Sequence, residues 1–205
     1  STVGSADLQW QTRAQVKSLN EVNLENFQFE VLRTNQQALV TLAAGTLNLE
    51  TGAADLQVTV RGALEKLLPL AGMPDAKLRS GELVLQSQIV GRSGVQTITG
   101  QLAITNISGA MGDAALDKFG ANLAYDVALR VDAVEVRKLT GVIRHNERPG
   151  GEFSFGGNVV FGEAMPSGKL NVTLTGLNEE ALRPFTASLW GEQQLISVSV
   201  NSAMS

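Results

Sequence analysis

The chain has 205 residues, 43% of them hydrophobic, a formal charge of −4, one His and no Cys. That apolar content is enough to build a core and argues against disorder, while the lack of any basic block or Arg-rich helix argues against nucleic acid as a partner. Without Cys there is no disulfide framework, no thiol chemistry and no His/Cys metal centre, and the absence of thiols suits a reducing cytosol and an oxidising periplasm equally.

From the N-terminus onward, apolar and polar residues alternate with period two, the pattern that lines one face of a strand. Leu8, Trp10, Thr12, Ala14 and Val16 open the series, followed by Phe27, Phe29 and Val31, by Leu47 and Leu49, and by Leu56, Val58 and Val60. Ala63 to Leu70 breaks the period. Leu64, Leu67 and Leu68 share one helical face there, and Pro69 ends the turn because the residue before proline resists the α region. Alternation resumes with Leu83 and Leu85 and continues through Ile98, Leu102 and Ile104. The clearest run places Leu123, Tyr125, Val127, Leu129 and Val131 on one side, with Asn122, Ala124, Asp126, Ala128, Arg130 and Asp132 on the other. A helix would scatter these five apolar residues around its circumference, whereas a strand aligns them.

Phe153 and Phe155 follow, then Leu170, Val172 and Leu174, and Val198 and Val200 close the series. The second break spans Asn178 to Trp190. Asn178 suits an N-cap, Glu179 and Glu180 suit the positive end of a helix dipole, and Leu182, Phe185 and Leu189 share a face, with a kink at Pro184. Turn signals separate the strands at Thr51-Gly52, Arg92-Ser93-Gly94, Pro149-Gly150-Gly151 and Pro166-Ser167-Gly168. The expectation is an all-β chain: a single domain over 1–205, folded as a long antiparallel meander forming a curved sheet, groove or open barrel or sandwich. Two short amphipathic helices would cap it.

The two breaks belong to an internal repeat, over about 55–89 and 169–204. Leu56-Gln57-Val58-Thr59-Val60-Arg61-Gly62 precedes Leu67, Pro69 and the strand of Leu83 and Leu85. Leu170-Asn171-Val172-Thr173-Leu174-Thr175-Gly176 precedes Leu182, Pro184 and the strand of Val198 and Val200.

Residues able to carry chemistry are sparse. His145, in Arg144-His145-Asn146-Glu147-Arg148, reads as an exposed turn residue, because a general base needs an orienting partner and a pocket. No calcium loop, nucleophile elbow or phosphate-cradling Gly-rich loop occurs. Glu179 and Glu180 read as dipole-compensating surface residues, and Asp126 and Asp132 lie about 20 Å apart along one strand, too far for a glycosidase pair. No catalytic residue, metal ligand or cofactor is expected.

The arrangement of alternating strand, Gly, Leu-rich helix with Pro, and Gly-x-Leu-x-Leu strand, closed here by Gly81-Glu82-Leu83-Val84-Leu85, resembles AsmA-like proteins of Gram-negative envelopes, relatives of TamB. Gly100-Gln101-Leu102-Ala103-Ile104-Thr105-Asn106-Ile107-Ser108-Gly109 is similar to that family as well. The second repeat copy departs from the pattern by lacking an equivalent of Gly81, and no N-terminal membrane anchor is seen. Apolar stretches such as Ala38-Leu39-Val40 stop far short of the ~20 residues that a spanning helix needs, and the opening Ser-Thr-Val-Gly-Ser reads as that of a fragment of a longer protein. The resemblance implies a non-enzymatic, periplasmic segment, tethered to the inner membrane in the full-length protein, that helps move phospholipid or maintain the outer membrane. Leu123, Tyr125, Val127, Leu129 and Val131 would then line a groove for phospholipid or another acyl-chain lipid. The competing expectation is a structural β-sandwich scaffold or spacer that binds other envelope proteins, with the same residues sealed in a core.

Overall fold

A computed structural model of the chain describes residues 6–71, 76–111, 114–146, 148–161, 167–177 and 198–204. Its strands are β1 (Asp7–Val16), β2 (Glu21–Arg33), β3 (Gln36–Asn48), β4 (Ala54–Ala63), β5 (Ala76–Arg92), β6 (Val95–Met111), β7 (Ala114–Leu129), β8 (Ala133–His145), β9 (Arg148–Val160), β10 (Ser167–Leu177) and β11 (Val198–Met204). They form one sheet in sequential order from β1 to β11, and every neighbouring pair is antiparallel. The expected all-β meander is therefore present, as a single open sheet. No second sheet packs against it among the described residues, so the two-layer sandwich form is not adopted.

Local chemistry explains the tight connections. Thr34 and Asn35 both have positive φ (52° and 59°), as do Ser93 and Gly94 (50° and 77°). Two consecutive positive-φ residues make the turn whose twist matches that of the flanking strands. Pro149-Gly150-Gly151 is not a turn. These residues lie inside β9, and the reversal comes earlier, at Asn146 with φ of 49°. Pro149 is accommodated at the start of the strand, beside a register shift between Ile143 and Arg144.

The expected helix over Ala63–Leu70 is reduced to a single turn, α1 (Leu64–Leu67), with Leu68 as its C-cap. Pro69 bars further winding, and the chain leaves through hydrogen bonds from the Leu70 and Ala71 N–H groups to the Leu67 carbonyl. The expected helix of Leu182, Phe185 and Leu189 lies outside the described residues. The two repeat copies occupy β4–β5 and β10–β11, strands that run in matching directions. Val60 pairs with Leu85 in one copy, and Leu174 pairs with Val200 at the corresponding place in the other.

Burial is sparse and local. Among the described residues the buried hydrophobics are Ala38, Ile107, Leu116, Phe119 and Ala128. Ile107, Leu116 and Phe119 form one cluster, with Leu64 of α1 and Leu78, Ile104 and Ile143 packed against it. This cluster sits at the edge of the sheet where β6 ends and β7 begins, beneath α1. It anchors one end of the strands, and over the rest of the sheet no second layer occurs among the described residues.

Candidate functional site

Register decides which side chains share a face, because directly paired residues in an antiparallel ladder point the same way. Val60 pairs with Leu85, Leu85 with Leu102, Leu102 with Leu123, and Leu123 with Gly141. Leu56 pairs with Ile89, Ile89 with Ile98, Ile98 with Val127, and Val127 with Val136. The same face extends outward through Val31 and Leu8 on one side, and through Phe155 and Val172 on the other. Bulges between Leu24 and Phe27 and between Val136 and Leu139 each add a residue, so the apolar side chains on both sides of the bulge stay on this face. The result is one predominantly apolar surface from β1 to β10, to which β3 contributes Leu39, Thr41, Ala43, Gly45 and Leu47, about 43 Å across at the usual inter-strand spacing.

The opposite face is mostly polar, with Val40, Leu42, Val84, Val90 and Val142 among its apolar members. In β4, Asp55 and Gln57 are exposed while Leu56 and Val58 are half-buried. In β9, Glu152 and Ser154 are exposed while Phe153 and Phe155 are half-buried. Gln88 donates to Asp55 across β4 and β5 at 3.1 Å, and Arg137 lies 3.8 Å from Asp126 and 3.4 Å from Glu135. These are exposed or half-exposed pairs, worth little to stability. The depressions on this side are open to solvent. The largest of those described is about 540 Å³ and lies along Gln101, Asn122, Thr140, Glu152, Ser154 and Thr173. It carries no converging catalytic set, and no cluster of His, Asp or Glu able to hold a metal occurs among the described residues.

Leu123, Tyr125, Val127 and Leu129 all lie on the apolar face of β7, in register with Leu102, Gly100, Ile98 and Gln96 of β6. Val131 does not join them. It is fully exposed (100%) in the β7–β8 turn, which is closed by the Arg130 N–H donating to the Ala133 carbonyl at 2.8 Å. Leu64 and Leu67 of α1 do cover the apolar face at one edge. A Cβ placed on Gly62 would meet the Leu67 side chain, and one on Gly81 would lie 3.1 Å from the Leu64 Cβ. None of the residues of α1 is fully buried. His145 ends β8, half-buried, and pairs with Arg148 across the hairpin.

Two features were not expected from the residues alone. The strand ends opposite α1 carry protruding apolar side chains on the β1–β2, β3–β4, β7–β8 and β9–β10 connections: Leu19 (95% exposed), Leu49, Val131 and Phe161. Within the apolar face, the Tyr125 ring lies over Gly100 of the neighbouring strand, and its hydroxyl bonds the Ser87 hydroxyl one strand further on. A Cβ on Gly100 would run into the Gln86 backbone carbonyl oxygen and stand 2.6 Å from the Tyr125 oxygen, so both the close strand approach and the crossing ring need a residue without a side chain there. Phe153 lies over Gly141 in the same manner. Compared with known proteins, the chain matches no family model, no curated protein and no solved structure.

Proposed function

We propose that the apolar face of this sheet is the wall of a groove for acyl chains, and that the chain is a periplasmic, non-enzymatic segment serving phospholipid transport or outer-membrane maintenance. The carrying observation is the predominantly apolar register from β1 to β10, with only α1 laid over it among the described residues. Burying hydrocarbon on such a surface gains about 0.8 kcal/mol per CH₂, so a dozen methylenes retain a lipid with few polar contacts. The periplasmic compartment and the inner-membrane tether in the full-length protein are part of the proposal and are supported by the resemblance to AsmA-like envelope proteins alone. The polar outer face suits an aqueous surrounding.

A second reading, a scaffold that binds other envelope proteins, is favoured by the exposed edge strand β1. Its outer edge has no partner among the described residues, and Leu8, Trp10 (72% exposed) and Val16 stand open beside it. Such an edge offers backbone groups to an added strand.

The test is to purify the chain without detergent and examine it by native mass spectrometry, then to titrate it with a spin-labelled phospholipid. Co-purified phospholipid and an immobilised spin label support the groove. Lipid-free protein that leaves the label mobile, yet captures an envelope protein through β1, supports the scaffold instead.

A further inference from the structure

In the regular part of the sheet between β4 and β10, the apolar face is almost free of polar side chains. Ser87 and Tyr125 are the exceptions in its interior, and Gln96 is another at the end of β6. The two hydroxyls are bonded to each other across Gly100. Their inventory does not close. Two hydroxyls bring two O–H donors, and the bond between them uses one. Neither makes a further hydrogen bond among the described residues. The second O–H is therefore left facing the apolar surface, where water satisfies it as long as the face is wet.

Filling the groove with plain hydrocarbon would strip that water and leave a donor unpaired, a penalty equivalent to about a tenfold or greater loss of affinity. A ligand that brings a carbonyl oxygen to this point avoids the loss and orients its chains around it. We infer that the Ser87–Tyr125 pair is a polar foothold that selects ester-linked acyl lipids over hydrocarbons and ether-linked lipids by donating one hydrogen bond to an ester carbonyl. This rests on the groove reading and deepens it by naming the ligand chemistry. Ser87 and Tyr125 are specificity determinants here, with no part in any bond-making step.

The experiment compares a diacyl phosphatidylcholine with its dialkyl ether analogue of equal chain length, each competing for the protein against a spin-labelled lipid. Wild-type protein is expected to favour the diacyl lipid by about tenfold, the factor that one hydrogen bond of about 1.4 kcal/mol carries. The double substitution S87A/Y125F removes both donors and replaces both partners by apolar groups, a change that folded proteins tolerate well. It is expected to bind the two lipids equally, with dialkyl binding no weaker than in the wild type. Equal binding of both lipids by the wild type overturns the inference and leaves the groove standing, and so does a preference that survives in the double variant. Failure to bind either lipid overturns the groove and the inference together. Should the double variant not fold, the wild-type comparison decides alone.

Discussion

Gly100 shows how much a single residue can matter on a one-layer sheet. Its missing side chain is the space through which Tyr125 reaches Ser87. Gly100→Val is expected to displace both the ring and the β5 backbone at Gln86 and to cost about 3 kcal/mol or more, read as a lower midpoint in urea denaturation. Val131→Ser, at a side chain with nothing around it, is expected to leave stability within about 0.5 kcal/mol in the same assay. The pair separates a position that the sheet needs from one that it does not. Period two alone makes Leu123, Tyr125, Val127 and Leu129 legible in the sequence, because a half-buried strand imposes that alternation. It cannot show where the strand stops. Alternation runs on through Val131, since Arg130-Val131-Asp132 turns the chain without Gly or Pro. The hydroxyl pair was beyond reach for a different reason, as it depends on register across three strands.

At the scale of elements, the strands were legible and their connections less so. Pro149-Gly150-Gly151 has the composition of a turn, yet Asn146 reverses the chain first. The first part of β5 is hidden from pattern reading by register shifts at Ser80, which interrupt the alternation. The short helix expected before Pro69 is present as the single turn α1. That single turn still has consequence, because Leu64 packs on the cluster of Ile107, Leu116 and Phe119, the one compact core among the described residues. Phe119, 5% exposed, is the largest side chain in it. Phe119→Ala is expected to cost about 3–5 kcal/mol, a large share of the stability of an ordinary domain, and to lower the thermal midpoint sharply. A comparable truncation of a half-buried side chain such as Val58 should cost visibly less.

At the scale of the molecule, strands that are each unremarkable align into an apolar face and a polar face. Closed sheets hide such a face against a second layer, and among the described residues only α1 lies over this one. Leu129→Arg places a cation at the margin of that face. It is expected to abolish uptake of a spin-labelled phospholipid while circular dichroism keeps its β signature, whereas outright unfolding would point to a sealed core at that position. The lack of native Cys allows the faces to be compared directly, since any introduced thiol is the only one to label. Val127→Cys on the apolar face and Asp126→Cys on the polar face are labelled in turn with an environment-sensitive fluorophore, and phosphatidylcholine is added. The account predicts a blue shift for the label at 127 and none at 126. An unchanged spectrum at both positions, or an equal shift at both, would contradict it.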